Sequence, residues 1–156
     1  MLDAAIFSRE RLRVVRLWDA VQGTQRREWG LRGTPVGMAF SPDGRTLAVS
    51  LERKLNTERA FDFFHAPDWQ VDSHPLNMQE LDHRLAYSPT GKQMVSVGPA
   101  IRVRELATGG IESISPADYR LNRLALSADG SFLAVGGIND LRLIPLARRC
   151  PRWGQP

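Results

Sequence analysis

Apolar and polar positions along this chain alternate in short runs, and three segments repeat one pattern: MAFSPDGRTLAVS at 38–50, LAYSPTGKQMVSV at 85–97 and LALSADGSFLAVG at 124–136. In each, an apolar stretch runs into a four-residue turn opening on serine and closing on glycine, and a second apolar stretch follows. The turn serines Ser41, Ser88 and Ser127 lie 47 and 39 residues apart. Proline at the second turn position (Pro42, Pro89) presets φ for a type I turn, and the closing Gly44, Gly91 and Gly130 accept positive φ. The flanking residues alternate or are continuously β-prone, so each segment predicts a hairpin. Helix pairs of similar period need apolar positions three and four residues apart, which these short, glycine-broken runs do not supply.

A second pattern interleaves with the first: VVRLWDAVQGT at 14–24, AFDFFHAPDW at 60–69, IRVRELATGG at 101–110 and LRLIPLA at 141–147. With Trp18, Phe64, Arg104 and Ile144 taken as equivalent, the spacings are 46, 40 and 40. Two ladders of about the same period, always in the same order, mark an internal repeat of the length of a propeller blade.

On these residues the chain resembles the WD-repeat family. Ser41-Pro42-Asp43-Gly44 matches the family's turn in full, and Trp18-Asp19 supplies one complete Trp-Asp ending. The resemblance spans roughly residues 4 to 147. Gly-His is missing throughout, with Leu31-Arg32-Gly33-Thr34 where the first is expected. Phe64-His65, Arg104-Glu105 and Ile144-Pro145 replace the other Trp-Asp pairs. The family's His–Ser–Asp–Trp network is therefore incomplete in every blade, and Asp140 stands as one surviving member. The blades are expected to be held mainly by apolar packing, with Phe40, Phe64, Tyr87 and Phe132 in their cores.

The resemblance implies an all-β fold: a partial β-propeller of about three to four four-stranded antiparallel blades, two complete and two incomplete. Residues 1–147 form the propeller, in blade segments of about 1–30, 31–75, 76–115 and 116–147, and 148–156 form an irregular tail. Strands are expected at 4–8, 12–18 and 24–29; at 35–40, 45–50, 59–65 and 69–73; at 82–87, 92–97, 100–106 and 110–114; and at 120–126, 131–136 and 140–146. An open arc of blades leaves two apolar faces wet. At roughly 25 cal/mol per Å², an exposed face of several hundred Å² forfeits several kcal/mol and invites association. Three accounts follow, in this order of preference: a piece of a longer gene, a half-propeller that pairs with another or with its own copy, and a decaying remnant.

The composition changes this picture little. The chain has 156 residues, 42% of them hydrophobic and 24% charged, ample for a core. No apolar run reaches the roughly 20 residues of a membrane-spanning helix, and the start lacks a secretory pattern. Cys150 is the single cysteine, so no internal disulfide is available. These features point to a cytoplasmic protein with no membrane contact. Of 21 basic residues only Lys54 and Lys92 are lysine, a skew expected of a GC-rich bacterial genome.

Candidate chemistry is sparse. Residues 61–83 hold all three histidines, but His65, His74 and His83 stand nine apart, unlike metal-ligand spacing. The strand assignment sets His65 and His74 at opposite ends of one strand, on the order of 20 Å apart. Solvated loop residues are the better account. There is no Gly-x-Ser-x-Gly elbow, and Cys150 has no nearby histidine. Gly109-Gly110 and Gly136-Gly137 read as turns. Arg9, Arg11, Arg13 and Arg16, with Arg148, Arg149 and Arg152, crowd the two ends of the arc. A net charge of +4 without interleaved stacking aromatics disfavours nucleic acid, and arginine stems covering apolar surface account for them better. No catalytic, cofactor or metal residue is assigned, and no binding residue either. The sequence predicts a non-enzymatic protein–protein interaction scaffold whose partner is a protein or peptide, with self-association through the open blade faces. A propeller enzyme with a channel site, or an acidic or nucleic-acid partner on the arginine clusters, is the alternative.

Overall fold

The computed structural model describes residues 2–9, 12–52, 59–78, 84–98, 100–116, 121–137, 140–146 and 153. Their strands make four antiparallel sheets, each a meander in which successive strands pair. Sheet 1 holds β1 (Leu2–Arg9), β2 (Leu12–Asp19) and β3 (Thr24–Gly30). Sheet 2 holds β4 (Thr34–Phe40), β5 (Thr46–Glu52), β6 (Arg59–His65) and β7 (Gln70–Met78). Sheet 3 holds β8 (Arg84–Tyr87), β9 (Gln93–Val97), β10 (Ala100–Glu105) and β11 (Ile111–Pro116). Sheet 4 holds β12 (Arg123–Leu126), β13 (Phe132–Gly136) and β14 (Leu141–Pro145). The strands fall where the repeat predicts them, β7 running five residues further. Among the described residues no helix is long and apolar enough to cross a membrane.

The two ladders of the sequence meet as one register. Leu47 pairs with Phe64, Met94 with Arg104 and Leu133 with Ile144. In each case the residue six beyond the turn serine faces the position taken as equivalent. The sheets then stack in chain order, with β1 and β2 against β4, β4 against β8 and β8 against β12.

Three apolar seams hold the stack. Val15 and Leu17 meet Leu47, Val49, Leu51 and Phe64 between sheets 1 and 2. Ala48 and Phe61 meet Leu85, Tyr87 and Met94 between sheets 2 and 3. Val95, Val97, Ile101 and Val103 meet Leu133 and Val135 between sheets 3 and 4. Residues 47–51 of β5 and all of β9 are buried on both faces, because their sheets have a neighbour on each side. In β13 Leu133 and Val135 are buried, whereas Phe132 on the opposite face is exposed.

That asymmetry corrects one expectation. Phe40, Phe64 and Tyr87 pack into seams, but Phe132 is 44% exposed. It shares a face with Leu141 and Leu143, as the pairings Phe132–Pro145, Ala134–Leu143 and Gly136–Leu141 require, and this is the outer face of sheet 4.

One polar contact crosses three sheets. The Arg84 guanidinium, on β8, donates through Nη1 to the Val36 carbonyl of β4 and through Nε to the Asn122 carbonyl before β12, the latter at 3.2 Å.

Candidate functional site

The serine turns build the rim of each seam. In sheet 2 the Gly44 N–H donates to the Ser41 carbonyl at 2.9 Å, and Gly44 takes φ 67°. The Ser41 hydroxyl accepts from the Thr46 N–H at 2.9 Å and donates to Asp43 Oδ1 at 2.6 Å. Asp43 also accepts from the Arg45 N–H at 3.0 Å. The hydroxyl of Ser41, and then that N–H, hold the Asp43 carboxyl below its ordinary value. Sheet 4 repeats the arrangement with Ser127 and Asp129, at 2.6 Å, and adds the Ser131 hydroxyl. There the Ser127 hydroxyl and the Ser131 backbone and side chain lower the carboxyl to about 2. Sheet 3 has Thr90 in the aspartate's place, 3.1 Å from the Ser88 hydroxyl.

These rims touch each other from sheet to sheet. A Cβ on Gly91 would stand 3.4 Å from Pro42 Cδ, and one on Gly130 would stand 2.6 Å from Pro89 Cδ. The proline of each turn therefore lies over the glycine of the next.

What fills the space beside the rim differs among the three seams. Between sheets 1 and 2 it is Trp69, buried, tilted against Trp29 at 6.5 Å between ring centroids and edge-on to Phe40 at 6.2 Å. Between sheets 3 and 4 it is Trp153, 7% exposed, whose indole N–H donates to the Gly130 carbonyl at 2.7 Å. Between sheets 2 and 3 there is a cavity of about 660 Å³. Pro42, Phe63, Pro89 and Leu106 supply apolar walls, and Asp43, Asp72 and Thr90 supply polar atoms. Tyr87 and His65 also line it. The His65 ring stacks on Phe63 at 6.4 Å and 14°, and its Nδ1 lies 3.2 Å from Thr46 Oγ1. Burial, with a smaller contribution from the Asp43 charge, pushes the Tyr87 phenol well above its ordinary value, so it stays protonated as a donor.

The residues singled out from sequence scatter. His65 lies in this cavity. His74 sits in β7 opposite Phe61, so it is on the strand beside His65 and not at the far end of one strand; four residues of rise separate them, about 13 Å and not 20. His83 lies outside the described residues, as do Arg11, Arg148, Arg149, Cys150 and Arg152. Among the described residues no three His, Cys, Asp or Glu side chains gather as a metal site. Arg16 pairs with Glu28 at 2.5 Å.

Asp19, of the Trp-Asp ending, serves its own turn. It accepts from the Val21 and Gln22 N–H groups at 3.0 Å and pairs with Arg26 at 2.7 Å, and Arg26 first among these lowers it to about 2. Asp140 likewise pairs with Arg142 at 2.6 Å. At the four aligned positions Phe64 and Arg104 are buried, and Trp18 and Ile144 are half-buried. The seat of Trp153 belongs to the tail that the sequence predicts as irregular. Its only sequence signal is an aromatic among prolines and arginines.

Neither a family model nor a curated protein matches the sequence. Among solved structures, the chain is similar to one described as Kuenenia stuttgartiensis hydrazine synthase, at 20% identity and a TM-score of 0.67 over 86% of this chain. The chain spans 40% of the length of that structure's chain. At that identity the likeness concerns the fold, an assembly of antiparallel β-sheets.

Proposed function

We propose that the chain is a stretch of β-propeller, related to WD repeats, that serves as a protein-binding scaffold and not as a catalyst. Its four sheets correspond to four blades, two with four strands and two with three among the described residues. The observation that carries this reading is the outer face of sheet 4. Leu141 is 80% exposed, Leu143 67% and Phe132 44%, and all three stand on one face. In sheets 2 and 3 the inner strands β5 and β9 are buried on both faces. Fully burying a large apolar side chain is worth about 1.5–3 kcal/mol, so covering these three offers roughly 5 kcal/mol to a partner. A scattered exposed leucine means little, but a contiguous apolar face on a regular stack is a surface for another protein. A further β-sheet, in another polypeptide or a second copy of this one, is the occupant it suits.

Sedimentation velocity over roughly a hundredfold concentration range tests the reading. Association that weakens in the double variant Leu141→Lys, Leu143→Lys, with unchanged far-UV circular dichroism, supports it. A monomer at every concentration that also binds no hydrophobic dye overturns it.

A further inference from the structure

We infer that the cavity between sheets 2 and 3 receives a tryptophan side chain from a partner polypeptide, an inference that rests on the chain being a binding scaffold.

The warrant is internal to the molecule. Trp69 follows Phe64 by five residues, and Gly109 follows Arg104 by five, Phe64 and Arg104 being register equivalents. Both take positive φ, 55° for Trp69 and 72° for Gly109, so the two turns have the same left-handed corner. The side chain of Trp69 points back into the seam with the preceding sheet. At Gly109 there is no side chain, and a Cβ built there meets no atom within 4 Å. The seam that lacks its tryptophan is the one that holds the cavity. In the seam where Trp69 is present, the cleft lined by Trp69, Leu17 and Pro67 is about 350 Å³ against about 660 Å³ here.

The walls match what an indole meets elsewhere in this chain. Phe40, which Trp69 packs against edge-on, precedes Ser41; Tyr87, in the same place before Ser88, lines the cavity. Trp153 donates its N–H to the carbonyl of Gly130, the closing glycine of sheet 4's turn; Gly91 closes the corresponding turn at the cavity. A tryptophan entering here meets an aromatic edge, a proline on either side and a turn carbonyl to accept its N–H. A buried indole N–H needs such an acceptor. The carboxylates of Asp43 and Asp72 add acceptors and repel anions, so phosphate or carboxylate ligands are disfavoured. Tryptophan is among the side chains that most often anchor an interface from within a desolvated pocket.

The test is a titration of the isotopically labelled full chain with N-acetyl-tryptophanamide, followed by backbone amide NMR. N-acetyl-phenylalaninamide and N-acetyl-leucinamide serve as controls, and free indole as the small-molecule arm. Saturable shifts at residues 41–44, 87–91 and 106–110, at least fivefold tighter for the tryptophan amide than for either control, support the proposal. Equal response to all three amides, or shifts confined to sheet 4, overturns it. Tighter binding of free indole than of the tryptophan amide also overturns it, because the site then suits a small molecule better than a polypeptide. Gly109→Trp supplies an internal occupant and is expected to weaken probe binding at least tenfold; Thr90→Trp, on the exposed rim, tests the same blockade without touching the left-handed corner. Undiminished binding in a folded variant of either kind overturns the proposal. The titration needs no association through Leu141 and Leu143, so failure here and failure of the scaffold reading are separately visible.

Discussion

Pro89 lies over Gly130 so closely that a Cβ on the glycine would stand 2.6 Å from the proline Cδ. The contact joins two turns from successive sheets, so it couples a local backbone requirement to the spacing of the stack.

Gly130→Ala therefore carries two costs, and Gly44→Ala only one. Both glycines have positive φ, 72° and 67°, and a left-handed alanine loses about 1 kcal/mol or somewhat more. A Cβ on Gly44 has nothing within 4 Å, whereas one on Gly130 must move Pro89. Overpacking of that kind costs about 1–3 kcal/mol more. Urea denaturation is expected to rank Gly130→Ala clearly below Gly44→Ala. Equal losses would mean that the two turns are not in firm contact.

Trp69 reverses the customary order of small substitutions. Removing the indole costs about 3–5 kcal/mol in lost contacts and cavity. Glycine at φ 55° then relieves a strain that alanine retains, so Trp69→Gly should be about 1 kcal/mol more stable than Trp69→Ala. Thermal unfolding of both variants checks this, and an alanine variant the more stable of the two contradicts the strained corner.

Arg84 ties β4 to the start of β12 through two carbonyls. A lysine ammonium is a compact point charge and cannot span both as a guanidinium fork does. Arg84→Lys and Arg84→Met are expected to lose stability by a similar amount, about 1 kcal/mol, with faster amide exchange in β4 and β12. Full rescue by lysine would show that charge alone matters there.

Acid should loosen the turns before the seams. Asp19 and Asp129 are lowered from 3.8 to about 2, so their folded-state contribution is complete above pH 4 and is lost as pH falls through 2. The sign follows because the unfolded chain binds the proton more readily than the folded one. Asp129→Asn should flatten the fall of stability between pH 4 and 2, while leaving the pH dependence above pH 5 unchanged. Denaturant midpoints at several pH values measure it, and identical slopes for variant and parent would contradict the Ser127–Asp129 geometry.

Much of this architecture is written locally. Ser41, Ser88 and Ser127 each bond the N–H and C=O at the far side of their own turn, and Gly44, Gly91 and Gly130 supply the left-handed corners. Such interactions involve residues no more than five apart, so their signature survives as a short motif. Alternation around those turns then gives strand position and register. The left-handed corner at Trp69 escaped because a bulky residue there breaks the local rule, and its side chain is buried in the seam against Trp29 and Phe40. Phe132 obeys the alternation but faces outward, since alternation tells which residues share a face and not whether a neighbour covers it.

The sequence by itself determined the turns, the strands and the meander order, because each depends on backbone torsions and side-chain alternation over a handful of residues. Only the tertiary structure decided which seams are filled: Trp69 and Trp153 are buried in two, while a cavity lined by Tyr87, His65 and Leu106 stands in the third. The filling of a seam depends on residues from two sheets and from a distant tail meeting in space, and no short-range pattern encodes that meeting.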